Sequence, residues 1–216
     1  PDEYLAMNVA RGYVDMNVAV ASTNLPSALV AGVEKKGSVK VDVINEGNIS
    51  LPKNQRVDVA VYMRPTDVMD GSQDTLVGTK TNQSVSSLRV GAKKSLSVNV
   101  VIPADIDPAN YVLVAVVTPV DDLNEESIAN NVGFGPEVGV ENPFVDLIAV
   151  EATKTVAPSV LGLTQGNATV TVRNGGNVQA KGNVIVTFYA SESGQLDDDA
   201  IEVGQGDRHV GHRQLP

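Results

Sequence analysis

Three groups of carboxylates and one pair of histidines are where side chains suited to chemistry crowd together in this 216-residue sequence. Asp67, Asp70 and Asp74 share one short segment, Asp197, Asp198 and Asp199 form a run, and Asp121, Asp122, Glu125 and Glu126 make a third group. Hard oxygen ligands converging on a loop suit Ca²⁺, although no EF-hand spacing is present. The same residues also serve as polar turns and as charges that keep sheet edges soluble. Both readings stand at this stage: the expected cofactor is none, and the Asp-rich loops are where Ca²⁺ would bind. Paired carboxylates also raise a glycosidase. Against it, glycan sites present aromatic platforms, and this chain has five Tyr, three Phe and no Trp. His209 and His212 would clip a metal if they shared a helical turn. Gly211 and the polar neighbours point instead to a loose tail. With no cysteine, thiol catalysis and thiolate metal sites are excluded. No Gly-rich phosphate loop appears, because Gly135 precedes Pro136 and Gly204-x-Gly206 opens no helix. No catalytic, cofactor-binding or metal residue is assigned, and the chain is expected not to be an enzyme.

The elements that position these residues read as strands. Val39, Val41 and Val43 alternate with Lys40 and Asp42, and Val57, Val59 and Val61 enclose Asp58. Leu96, Val98 and Val100 alternate with Ser97 and Asn99. Residues 111–117 are apolar on both faces, which predicts a central strand or one lying under another element. Turn signals separate the runs at Asn45-Glu46-Gly47, Asp70-Gly71, Val90-Gly91 and between Pro103 and Pro108. No segment carries a helical stripe with caps. Many short strands at this spacing predict an all-β sandwich or barrel. A net charge of −10 excludes a nucleic-acid surface, since that needs clustered Lys and Arg. No apolar run is long enough to insert this segment into a membrane. Pro1-Asp2-Glu3 is not a natural start, so the chain reads as a piece of something longer.

The sequence also repeats itself. Residues 14–20 lie on 145–151, residues 37–48 on 166–177, and residues 57–62 on 184–189, with offsets of 131, 129 and 127. The shrinking offset is what loop deletions produce. Each copy carries Asn-x-Gly-Asn after a valine strand: Asn45 to Asn48 in the first, Asn174 to Asn177 in the second. Such a junction ends a strand sharply, because Asn bonds its own backbone and both Asn and Gly tolerate left-handed dihedrals. A weaker likeness, residues 5–9 to 128–132, suggests the end of a preceding copy at the N-terminus.

These residues together resemble the CARDB domain, a bacterial and archaeal extracellular module named for a presumed role in cell adhesion. The resemblance rests on the Val-Asp strand opening, the Asn-x-Gly junction, the Val-x-Val-x-Val-Tyr strand with its Asp-rich loop, and Ile102-Pro103 ahead of Tyr111. An acidic segment leading into Asn130-Asn131 completes it. It implies an immunoglobulin-like β-sandwich in tandem copies. The expected divisions are 1–13, the end of a preceding repeat or a linker; 14–134, a complete domain; 135–144, an extended linker; and 145–216, a truncated second domain. The expected function is non-catalytic: adhesion, spacing or display within a secreted or cell-surface protein, with a protein or glycan on a cell surface as partner. The alternative is an accessory or glycan- or protein-binding domain of an exported hydrolase. The incomplete copy is expected to pair through its open sheet edges or to stay partly disordered.

Overall fold

The computed structural model describes residues 9–155 and 165–210, and the chain divides into two units, Pro1–Asn142 and Pro143–Pro216. In the first unit the period-two runs become strands β1 (Met16–Thr23), β2 (Ala28–Val30), β3 (Lys35–Asn45), β4 (Arg56–Pro65), β5 (Thr75–Ser84), β6 (Lys93–Ile102), β7 (Asn110–Pro119) and β8 (Val132–Glu141). A short 3₁₀ turn, Ala129–Asn131, leads into β8. Three strands form one sheet in the order β1-β3-β6, and five form the other in the order β2-β8-β7-β4-β5. Pairing is antiparallel except between β2 and β8.

The two layers close on each other through their valines. Val39, Val41 and Val43 of β3 and Val98 of β6 are fully buried, as are Val57 and Val61 of β4 and Leu113 of β7. β-branched side chains are stiff and fill a pleated surface with little loss of rotamer freedom, so this core forms without aromatic bulk. Strand β7 sits in the middle of its sheet, as its double apolar face predicts. Its Leu113 and Ala115 enter the core, while Val114 on the opposite face is covered all the same, lying in register between Tyr62 of β4 and Phe134 of β8. The turn before β7 is tied down by Tyr111, whose hydroxyl donates to the Asp107 carbonyl at 2.9 Å.

One expectation is corrected here. Residues 135–144, read as an extended linker, belong as far as Glu141 to strand β8 of the five-stranded sheet. Their Gly, Pro and Glu content points to an extended linker, and Pro136 cannot donate to a ladder. The register shows why it is tolerated: Val112 pairs with Glu137 and Val114 with Phe134, so Gly135 and Pro136 together face Leu113 across a bulge. A bulge leaves a residue unpaired, which is where proline fits.

The second unit contains β9 (Leu147–Lys154), β10 (Ala168–Asn174), β11 (Gly182–Ala190) and β12 (Ile201–Val210). They form two separate pairs, β9 with β10 and β11 with β12. The pairings repeat those of the first unit. Met16 pairs with Asn45 and Val18 with Val43, and at the same offsets Leu147 pairs with Asn174 and Ala149 with Val172. The ladder shift between Val61 and Tyr62 recurs between Phe188 and Tyr189. No described residue of the second unit is buried.

The repeated Asn-x-Gly-Asn junction is a clasp over the start of the opening strand. Asn45, fully buried, accepts from the Gly47 amide at 3.0 Å through its own side-chain oxygen and donates to the Ile49 and Leu88 carbonyls, both at 2.9 Å. Asn48 accepts from the Tyr13 amide at 2.7 Å and donates to the Arg11 carbonyl at 2.8 Å. In the second unit Asn174 accepts from Gly176 at 3.0 Å and donates to Val178 at 2.7 Å, and Asn177 accepts from Phe144 at 2.9 Å. The glycine is needed for space and not for a left-handed dihedral, which corrects the sequence argument. A Cβ on Gly47 would stand 2.6 Å from the Tyr13 carbonyl oxygen, and one on Gly176 2.3 Å from that of Phe144, while neither residue has a positive φ.

Candidate functional site

The three acidic groups meet different fates. In the loop after β4, Asp74 grips Arg64 with both oxygens, each 2.7 Å from a guanidinium nitrogen. This fork-to-fork pair is the strong form of a charge-assisted hydrogen bond, and it places a cation of the protein's own where a metal would go. Asp70 turns back on its loop and accepts from the Ser72 amide at 3.0 Å. The Ser72 hydroxyl and amide hold its carboxyl below the usual carboxylate range. Asp67 is exposed. Arg64 also lies over the Phe134 ring, 5.7 Å from its centroid. With Met69, Val112, Phe134 and Glu137 it lines an open cleft of about 270 Å³ on the outer face of the five-stranded sheet.

In the second unit Asp197 accepts from the Ser193 hydroxyl, and Asp198 and Asp199 are exposed. The backbone of His209 lies in strand β12 opposite Asn183, not on a helix, and His212 falls outside the described residues. The geometry that would make the pair a metal clip is therefore not formed at His209.

The third group behaves differently, and only one of its members matters. Asp121, Asp122 and Glu126 are exposed, while Glu125 turns into the end of the sandwich beside the start of β1. There it meets Asp15, a residue that the reading of acidic clusters passed over. Glu125 accepts from the Met16 amide and from the Asn131 side-chain amide, both at 2.9 Å. Asp15 accepts from the Ser127 amide at 3.2 Å and from the Asn130 side-chain amide at 3.1 Å. Burial pushes the Glu125 carboxyl up, the two donors oppose that shift, and the negative charge of Asp15 adds to it. The side-chain oxygens of Asn130 and Asn131 are buried and have no hydrogen-bond partner. One signal for Asp15 was present in the sequence, since the Val-Asp strand opening recurs as Val145-Asp146.

A further polar contact lies on the three-stranded sheet. Asp42, 4% exposed, accepts from Lys93 at 2.5 Å and from the Ser95 hydroxyl at 2.5 Å. These two bonds, Lys93 first, hold its carboxyl below the usual range. Lys93 keeps a largely exposed side chain, so this is a strut across β3 and β6 and not an enclosed charge. Nowhere among the described residues do three His, Asp or Glu side chains gather as a metal cage.

Comparison with solved structures finds partial likenesses. The chain is similar to the CARDB domain of the PF1109 protein from Pyrococcus furiosus, in a crystal structure described as a complex with di-metal ions: 23% identity, 65% of this chain and 100% of that one, TM-score 0.40. A solution structure of the same domain gives 22% identity over 60% of this chain and 97% of that one, with a TM-score of 0.37. A β-glucosidase from Listeria innocua, in complex with laminaribiose, is matched over 62% of this chain but only 17% of its own, at 15% identity and TM-score 0.35. No family model matches the chain, and no curated protein matches it.

Proposed function

We propose that this chain is a non-catalytic β-sandwich module of a larger secreted or cell-surface protein, acting in adhesion, spacing or display. The observation that carries the reading is the clasp written twice, with two bonds shared by Asn45 and Asn174, from the glycine amide two residues on and to the carbonyl four residues on, and the same steric demand at Gly47 and Gly176. A repeated corner that fixes how each unit begins is a device for stringing similar units along one polypeptide, so that repetition sets reach. The carboxylates of the loops support the same reading, because Asp74, Asp70 and Asp197 are engaged in holding their own loops. Among the described residues no histidine is hydrogen-bonded to the Asp15–Glu125 pair, and the Ser127 hydroxyl beside it accepts from the Ala129 amide, so no base is set to activate it.

Protease treatment of intact cells producing the full-length protein tests the location. Loss of a fragment containing unit 1, with cytoplasmic markers intact, is the expected result, and protection until lysis overturns the extracellular reading. Incubation of the purified chain with a panel of polysaccharides, followed by product analysis, tests the absence of catalysis. Release of reducing sugar would overturn the non-catalytic reading and return the glycosidase reading of the paired carboxylates.

A further inference from the structure

We propose that Asp15, Glu125, Asn130 and Asn131 form a binding site for a hard divalent cation of the calcium class, at the end of the sandwich where β1 begins and β8 is entered.

The argument starts from what is left unsatisfied. Asn131 is 5% exposed, and its amide nitrogen is spent on Glu125 at 2.9 Å while its buried oxygen has no partner. Asn130 is in the same position: its nitrogen donates to Asp15 at 3.1 Å and its buried oxygen is unpartnered. A buried carbonyl-type oxygen without a donor is costly, and here two stand on consecutive residues. Beside them lie two carboxylates whose charges repel, since the charge of Asp15 helps to push the Glu125 carboxyl up. Oxygens lacking donors and like charges lacking a counter-charge are both answered by one ligand, a cation that accepts lone pairs.

The donor set has the right chemistry. Carboxylates and Asn carbonyl oxygens are the side-chain ligands of Ca²⁺, at about 2.3–2.6 Å. Two oxygens on one such ion therefore stand at most about 5 Å apart. Each carboxamide, held by its nitrogen against a carboxylate, keeps its own oxygen within about that reach. The carboxylates accept a hydrogen bond at each oxygen and retain lone pairs for an ion. The frame is also preformed. The Val14–Glu125 bridge and the Glu126 amide, 3.0 Å from the Val14 carbonyl, fasten the acidic loop to the entry of β1. This donor set, two carboxylates and two carboxamides, differs from a cage of three acidic or histidine ligands. It also differs from the Asp70 loop, where Arg64 takes that place.

The test uses the purified 216-residue chain after chelator treatment, titrated with CaCl₂ and, separately, with MgCl₂. Calorimetry is expected to give one saturable Ca²⁺ site with a dissociation constant of about 10⁻⁴–10⁻³ M, in the range of extracellular modules. Glu125→Gln and Asp15→Asn should each weaken it at least about tenfold, while Asp70→Asn leaves it unchanged. Because a variant at a buried position can fail to fold, the wild-type side-chain amide resonances of Asn130 and Asn131 are followed in the same titration and should shift with the calorimetric midpoint. Absence of saturable Ca²⁺ binding overturns the proposal. So does binding that moves other resonances but not these two, or binding abolished by Asp70→Asn and kept in Glu125→Gln.

Discussion

The two units carry the same instructions and do different things with them. Val43 of β3 is fully buried, while its counterpart Val172 of β10 is 36% exposed; Val77 of β5 is 5% exposed, while its counterpart Val203 of β12 is 62% exposed. The ladders and the clasp are equally well formed in both. Local pairing and corner chemistry therefore do not make a core. The core of the first unit appears where β6, β7 and β8 join, since these supply Val98, Val100, Leu113, Ala115 and Val138, and among the described residues the second unit has no counterparts of these strands. A two-stranded ribbon has only one layer, and burial needs a second.

Hydrogen exchange should separate the units most widely. Amides of β3, β4 and β7 are expected to exchange only with global unfolding, and those of β9 to β12 at least about 1000-fold faster. Equal protection in both units would mean that something other than a second strand layer stabilises the ribbons.

Asn45→Ala comes next in size. It leaves the Gly47 amide and the Ile49 and Leu88 carbonyls without their side-chain partner, for an expected loss of about 3 kcal/mol in the denaturant unfolding of the first unit. Asn174→Ala removes the same clasp from a half-exposed position and should leave that transition unmoved.

The core itself gives a smaller contrast. Val43→Ala is expected to cost about 2 kcal/mol, and Val172→Ala no more than about 0.5 kcal/mol by the same measurement. Similar costs at the two sites would show that the second unit packs in solution.

The smallest effect is the acid response. The Asp42 carboxyl is held below its ordinary value, so its contribution to stability is complete above that value and is lost as pH falls through the depressed one. Lys93→Ala should lower stability at pH 7 by less than about 1 kcal/mol, because Lys93 is mostly exposed, and the difference from wild type should fade in strong acid. Thr171 occupies the equivalent place in the second unit, and no such response is expected there.

Much of this was legible in the sequence, for reasons that differ by element. Strands β3, β4 and β6 announce themselves because alternate burial imposes period two on residue type, and β7 because burial on both faces makes it a continuous apolar run. Strand β8 does not, because Gly135 and Pro136 sit in its bulge and erase the pattern. The clasp was legible as a recurring string, but the reason for its glycine was not. The reason is a collision with the residues before β1, which only the folded path brings near. The acidic groups were visible as groups, yet composition could not tell Glu125, turned inward, from Asp121 and Asp122 beside it. Its partner Asp15 lies 110 residues earlier (125 − 15), joined to it only by the topology.

The clasp has a further consequence for load. Asn48 holds the amide of Tyr13, and Asn177 that of Phe144, so the polypeptide arriving at each unit is already fastened before its first strand begins. A pull on the chain from upstream reaches these side-chain bonds ahead of the β1–β3 or β9–β10 ladder. Each unit is thus fastened at its entrance by a side-chain bond that lies outside its strand ladder.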